Sequence, residues 1–383
     1  MRLLYAHRTR SADGQHVHID ALTKALIRQG HEVMLCGPDG TRPAGEADRA
    51  LDAAAGEGGL RDALPRPARE AAELAYSAVE ARRVRAAIRA FRPDAIYERY
   101  NLFAHGVQAA RGTCPWLLEV NAPLTQERAR HGGLRLRRAA ALSEGRLWRG
   151  ADAVLPVTDV LAGMIAARGV PRDRLHVVPN GVDRGAGAGD GGPVRARYGL
   201  GSAFVLGFTG FVRDWHGVDR AVQWLPRRED AVLLLVGDGP HVAVLRAEAE
   251  ALGVADRLIV TGTVQRDAVA DHVAAFDVAL QPAATPYASP LKLQEYMAAG
   301  RAILACDQPN IREVVGDQES ALLFPPGDEA AMHEGLDRLA SDADLRARLG
   351  AAARDTVAAR DLTWDGNARR VAGIAERLIA ARA

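Results

Sequence analysis

From end to end the chain alternates short β-branched and apolar runs with longer segments of helical period, and this alternation specifies parallel sheets covered by helices. The strand-like runs of the first half are residues 3–6, 32–36, 95–97, 116–120, 153–157 and 176–178. Those of the second half are 204–209, 232–236, 258–261, 278–281, 302–305 and 322–324. Two such sets predict an α/β chain with two Rossmann-like, doubly wound parallel-sheet domains. At 383 residues the length also favours more than one core.

Between the sets, residues 185–193 (GAGAGDGGP) offer almost no side chain to bury and read as a flexible linker. The expected organisation is a first domain over 1–184, the linker, a second domain over 194–363 and a helix over 364–383. That helix has no strand after it and can cap either domain; a return to the first is one arrangement. Residues 41–67 lack an apolar period and are expected to form a loop. Ligands of open α/β sheets bind outside the carboxyl ends of the strands, so two facing domains are expected to enclose a cleft.

Net charge is +1, which gives no global field to recruit nucleic acid, and no nucleic-acid partner is expected. Cys36, Cys114 and Cys306 are too few and too scattered for a disulfide framework or a zinc cluster, which suits a reducing compartment. No signal-peptide h-region follows Met1-Arg2 and no run approaches a membrane span, so a cytoplasmic location is expected. Of 49 basic residues only Lys24 and Lys292 are lysines, which draws attention to each.

The segment 289–300 (SPLKLQEYMAAG) follows a strand and a Pro-rich turn. Ser289 is expected as N-cap and Pro290 as the first helical residue, so N–H groups around Leu291 would form an anion site. Lys292 and Glu295, three apart, share a helix face that suits a phosphate and a ribose diol. Spacing alone describes an exposed ion pair equally well. In residues 209–219, Arg213 and His216 lie between glycines in a strand-to-helix loop and could cradle a diphosphate. Residues 236–240 (VGDGP), with Asp238 and Gly239, form a tight turn that suits a nucleotide or merely a β-to-α connection.

In the first half, residues 11–18 (SADGQHVH) join a strand to a helix, and Gly14 gives room for a ligand without dinucleotide spacing. His16 and His18 lack a third ligand, so no metal is expected. Glu98, Arg99, Glu119 and Asn121 stand at strand ends and together suggest a polar acceptor pocket. From Glu127 to Arg149, seven arginines face two acids, as in a basic amphipathic helix that meets an anionic surface or a simple solvated face.

Together these segments resemble glycosyltransferase family 4, retaining enzymes of GT-B fold. The resemblance includes residues 28–33 (RQGHEV), 178–183 (VPNGVD), 260–264 (VTGTV) and the segments above. It implies that Arg213 contacts a donor diphosphate, that His216 replaces the usual lysine and that Glu295 holds the ribose as the second acid of E-x7-E. Tyr287 stands in place of the first acid. The resemblance also sets Val264 against the base, residues 289–292 at the distal phosphate, and Asn121 where many members have a histidine.

The expected activity is metal-independent glycosyl transfer with retention, without cofactor, from a UDP- or GDP-linked sugar. Arg213 and Lys292 would stabilise the leaving diphosphate. His16, His18, Glu98, Arg99, Glu119 and Asn121 would bind the acceptor, a soluble metabolite or a lipid-linked glycan, with peripheral contact to an anionic inner membrane face. A nucleotide-sugar epimerase or isomerase and a non-catalytic nucleotide-sugar-binding protein are the alternatives.

Overall fold

The computed structural model describes residues 1–9, 14–45 and 65–382. It divides into two compact units, Met1–Pro179 with Trp364–Ala383, and Asn180–Thr363.

The first unit holds β1 (Arg2–Ala6), β2 (Glu32–Gly37), β3 (Gly40–Pro43), β4 (Ala95–Arg99), β5 (Trp116–Val120) and β6 (Ala153–Pro156). They pair in the order β3-β2-β1-β4-β5-β6, parallel except for the β2/β3 hairpin. The second unit holds β7 (Phe204–Thr209), β8 (Ala231–Val236), β9 (Leu258–Val260), β10 (Val278–Gln281), β11 (Ala302–Cys306) and β12 (Leu322–Phe324). Their order is β12-β11-β10-β7-β8-β9, parallel throughout. Strands such as β7 and β10 are buried at every residue, which is why they read as unbroken apolar runs rather than alternating ones.

Four expectations change. Residues 176–178 are not a strand: His176 and Val178 donate N–H groups to the carbonyls of Val154 and Pro156 on β6. Pro156 has no N–H to return, so the ladder stops. Residues 41–43, expected in a loop, form most of β3, turned back on β2 through Pro38 and Asp39. Residues 66–67 begin the helix Arg66–Phe91, while 46–64 lie outside the described residues.

The glycine-rich segment 185–193 is part of the second unit rather than a linker between units. A Cβ on Gly187, Gly189 or Gly191 would fall within 2.6 Å of the backbone of Ala298, Ala270 or Ala274. Its glycines serve close packing. The basic stretch is two helices, Leu124–His131 and Arg137–Gly150, not one. Glu70, from Arg66–Phe91, accepts the Arg135 and Leu136 N–H groups at 2.9 and 2.7 Å and so caps the second of them.

The helix Trp364–Ala380 belongs to the first unit. Trp364 meets His18 edge-on at 4.7 Å, and Asp365 takes Arg28 at 2.8 Å.

Candidate functional site

In the second sheet the strand order reverses between β7 and β10, and ligands of such sheets sit at that switch point. Both segments singled out by sequence emerge there. The loop after β7 lies against the turn after β8: Val212 donates its N–H to the Asp238 carbonyl at 2.8 Å. Gly237, at φ +140°, passes so close to Gly210 that a Cβ would sit 2.2 Å from its oxygen. Asp238 is exposed, and its carboxylate accepts the Gly239 N–H at 2.7 Å.

The Phe208 ring organises the cations. Lys292 Nζ stands 3.8 Å from its centroid and the His216 ring 5.2 Å. Burial brings the Lys292 pKa down to about 7, against the opposing pull of Glu295. Burial, with Lys292 and Arg213 near, brings His216 to about 3, so its imidazole is neutral at physiological pH. Its Nδ1 accepts the Arg213 N–H at 3.1 Å, which leaves the proton on Nε2 as a donor. The Arg213 guanidinium lies between the exposed rings of Phe211 and Trp215, at 4.8 and 4.9 Å. Two aromatic faces restrict a side chain that otherwise loses much rotamer freedom on binding.

The helix Leu291–Ala298 carries Lys292 and Glu295, but Ser289 is not its N-cap. The chain at Pro290 is extended and no side chain caps the helix. Ser289 is instead held by Asn180, whose N–H donates to its Oγ at 3.2 Å and whose amide donates to its carbonyl at 2.6 Å. The cap position falls to Pro290, whose ring offers no acceptor, so the helix start is uncapped. Tyr287 is buried, and Asn310 fixes its loop through the carbonyls of Thr285 and Ala288 at 3.0 and 2.7 Å.

Glu295 borders a cavity of about 440 Å³ with Asp183, Arg266, Val269 and Val273. Burial raises its carboxyl pKa, opposed by Arg266 and Lys292. Arg266 pairs with Asp183 at 2.7 Å, and Val264 packs at the edge of the core. Sequence reasoning had not named Asp183, Arg266 or Phe208 as site residues. Asp183 lies in a segment read for resemblance and Arg266 two residues beyond another, whereas Phe208 reads simply as core.

In the first unit, Glu119 is a hub at the end of β5. It accepts from the Tyr97 hydroxyl at 2.9 Å, the Tyr5 hydroxyl at 3.3 Å, Arg99 and the Asn121 amide. Burial opposes its ionisation, but His18, Arg99 and the hydrogen bonds outweigh it and hold the carboxyl below the ordinary range. Arg99 and Asn121 face a cavity of about 550 Å³ shared with Tyr100, Asn101, Glu127 and Arg128.

Three residues expected to bind the acceptor are buried. Glu119 is buried and holds the two cavity residues rather than lining the cavity. His18 is buried between Glu119, 3.5 Å away, and Trp364, and burial lowers its pKa to about 4. Glu98 lies on the other face of β4, buried beside Glu80 and Arg8, and burial raises its pKa. His16 lies on the helix Gly14–Arg28, half-buried and outside the cavity lining; Gly14 begins that helix, and residues 11–13 lie outside the described residues. Asn101, Glu127 and Arg128 were not named as cavity residues by sequence reasoning, because the last two sat within the basic stretch.

A model described as Glycosyltransferase Family 4 matches residues 12–185, and one described as Glycosyl transferases group 1 matches 197–356. The chain is 32% identical over 239 residues to a D-inositol 3-phosphate glycosyltransferase of Xylanimonas cellulosilytica, covering 58% of this chain and 56% of that one. It is 35% identical over 123 residues to a 2-deoxystreptamine N-acetyl-D-glucosaminyltransferase of Streptomyces fradiae, covering 32% and 29%. The matched stretches thus span about half or less of these relatives' lengths. Sucrose-phosphate synthase of Thermosynechococcus elongatus superposes with TM-score 0.78 at 18% identity over 100% of both chains. Matched by the family 4 model on its first half and the group 1 model on its second, and built of two parallel-sheet α/β units, the chain belongs to the GT-B-fold glycosyltransferases of family 4.

Proposed function

We propose that the protein moves a glycosyl group from a nucleoside diphosphate sugar, UDP- or GDP-linked, to an acceptor nucleophile with retention at the anomeric carbon. The observation that carries this is the convergence of Lys292, His216 and Arg213 at the switch point of the second sheet, beside the Glu295 cavity. The donor's bond from anomeric carbon to phosphate oxygen breaks as the acceptor bond forms on the same face, and a phosphate oxygen takes the acceptor proton. Lys292 and Arg213 meet the growing charge of the diphosphate, and the Nε2–H of His216 donates to it. Preorganised donors of this kind are worth most where charge develops. In this reading no divalent cation is needed, which transfer in excess EDTA tests.

Glu295 would hold the ribose diol. Thermal stabilisation by UDP, GDP, ADP, CMP and dTDP, on wild type and Glu295→Ala, tests the donor site, because a ligand that binds only the native state raises Tm. Stabilisation by one diphosphate, lost in the variant, is expected; none with any of them counts against the reading. Buried Tyr287, in place of an acid, favours a second reading, a donor-binding protein without turnover. That protein would be stabilised by nucleotide yet yield no product with any acceptor.

The relatives' names span a phosphorylated cyclitol and an aminocyclitol, and we take a polyhydroxylated acceptor as the class. Among the described residues no helix is long and apolar enough to cross a membrane. Peripheral contact with an anionic surface is supported by the exposed Arg130, Arg135, Arg137, Arg138 and Arg146, beside exposed Leu136 and Leu142. Sedimentation with anionic vesicles at low salt tests it.

A further inference from the structure

The cavity of the first unit is lined by two arginines and one carboxylate, Glu127. Each arginine is already compensated. Arg99 is bound to Glu119, with both side chains almost wholly buried. Arg128 is paired with Glu73 at 2.7 Å and donates to the Asn101 carbonyl oxygen at 3.4 Å. Glu127, the remaining charged residue of the lining, has neither ion pair nor side-chain hydrogen bond among the described residues. Asn121 donates one amide N–H to Glu119, and its carbonyl oxygen is left to accept. Among the described residues, then, the cavity offers an unpaired carboxylate and an open carbonyl oxygen, and the charge of each of its two arginines is matched by a carboxylate.

A phosphorylated ligand would meet an uncompensated carboxylate, and each arginine it could reach already carries a carboxylate, Glu119 buried and Glu73 partly exposed. A protonated amine would find Glu127 and Asn121 both ready to accept its N–H groups. Like-charge contact disfavours the first kind of ligand, and opposite charge selects the second. We propose that the acceptor is a polyhydroxylated molecule bearing a protonated amine, selected by Glu127. The assignment rests on the transferase reading for the word acceptor, but the charge preference of the cavity is measurable without turnover.

The test is calorimetric titration of the full chain at pH 6.5 and low salt with streptamine, myo-inositol and myo-inositol 1-phosphate, cyclitols of one ring size that are cationic, neutral and anionic. Wild type should bind streptamine most tightly and the phosphate least. Glu127→Gln should weaken streptamine about tenfold while leaving myo-inositol within about twofold, as expected for loss of a partly buried charge contact. Glu127→Lys should favour the phosphate. Tighter binding of myo-inositol 1-phosphate than of streptamine to wild type, absence of streptamine binding, or an unchanged preference in Glu127→Gln would overturn the proposal. Stabilisation by UDP or GDP, read on the same proteins, separates the two readings. Amine binding without nucleotide binding sinks the transferase and spares the charge assignment, and nucleotide binding with phosphate preference does the reverse.

Discussion

Lys292 is held by a ring and a helix rather than by an acid within bonding distance, and this makes its charge conditional. Burial lowers its pKa to about 7. A bound diphosphate favours the protonated form, so nucleotide binding should take up a proton above that pH. Between pH 7 and 9 the terminal phosphate of UDP is already ionised. Over that range its affinity should fall, by roughly tenfold for each unit above 7 once most of the free lysine is neutral. An ordinary lysine, near 10.4, would leave the affinity flat to pH 9, and that outcome would refute the assignment. His216, lowered to about 3, adds nothing in this window. Lys292→Arg should flatten the profile. Sequence showed that Lys292 and Glu295 share a helix face; it did not show Phe208 beneath the ammonium, because a phenylalanine inside an apolar strand carries no mark of a second role.

At the scale of elements, the two loops of the second unit are placed by each other. Gly237 at φ +140° allows its turn to approach within contact of Gly210. Gly237→Ala would both strain that backbone and push the Gly210 carbonyl away. We expect a stability loss of about 1–3 kcal/mol, read by urea denaturation, together with weaker UDP binding as Arg213 and His216 lose register. Unchanged binding would show that the loop does not depend on the turn. The turn itself was legible from its glycines and β3 could be found in Pro38-Asp39-Gly40, since turn chemistry is local. The break in the basic stretch was only half legible. Gly132 and Gly133 mark it, but the cap comes from Glu70, more than sixty residues earlier in the chain.

On the scale of the whole molecule, the chain leaves the second unit at Thr363 and returns to the first, where Trp364 is buried against His18 and Asp365 binds Arg28. Trp364→Ala should cost about 3–5 kcal/mol, the usual range for a buried aromatic, and the loss should fall on the first unit. Calorimetry with UDP present, to stabilise the second unit, would show it as a lowered first transition with the second unmoved; a lowered second transition would place the helix elsewhere. Sequence by itself determined the six strands of the second sheet, five of the six in the first, and the segments that emerge at their carboxyl ends. A strand buried on both faces must be continuously apolar, and a tight turn needs its glycines, whatever the rest of the chain does. Only the tertiary structure decided which charges are spent and which are free. Arg99 is spent on Glu119, Arg128 on Glu73 and Arg28 on Asp365, while Glu127 has no partner among the described residues. Charge compensation and burial depend on atoms brought together from distant parts of the chain, and no local pattern encodes them.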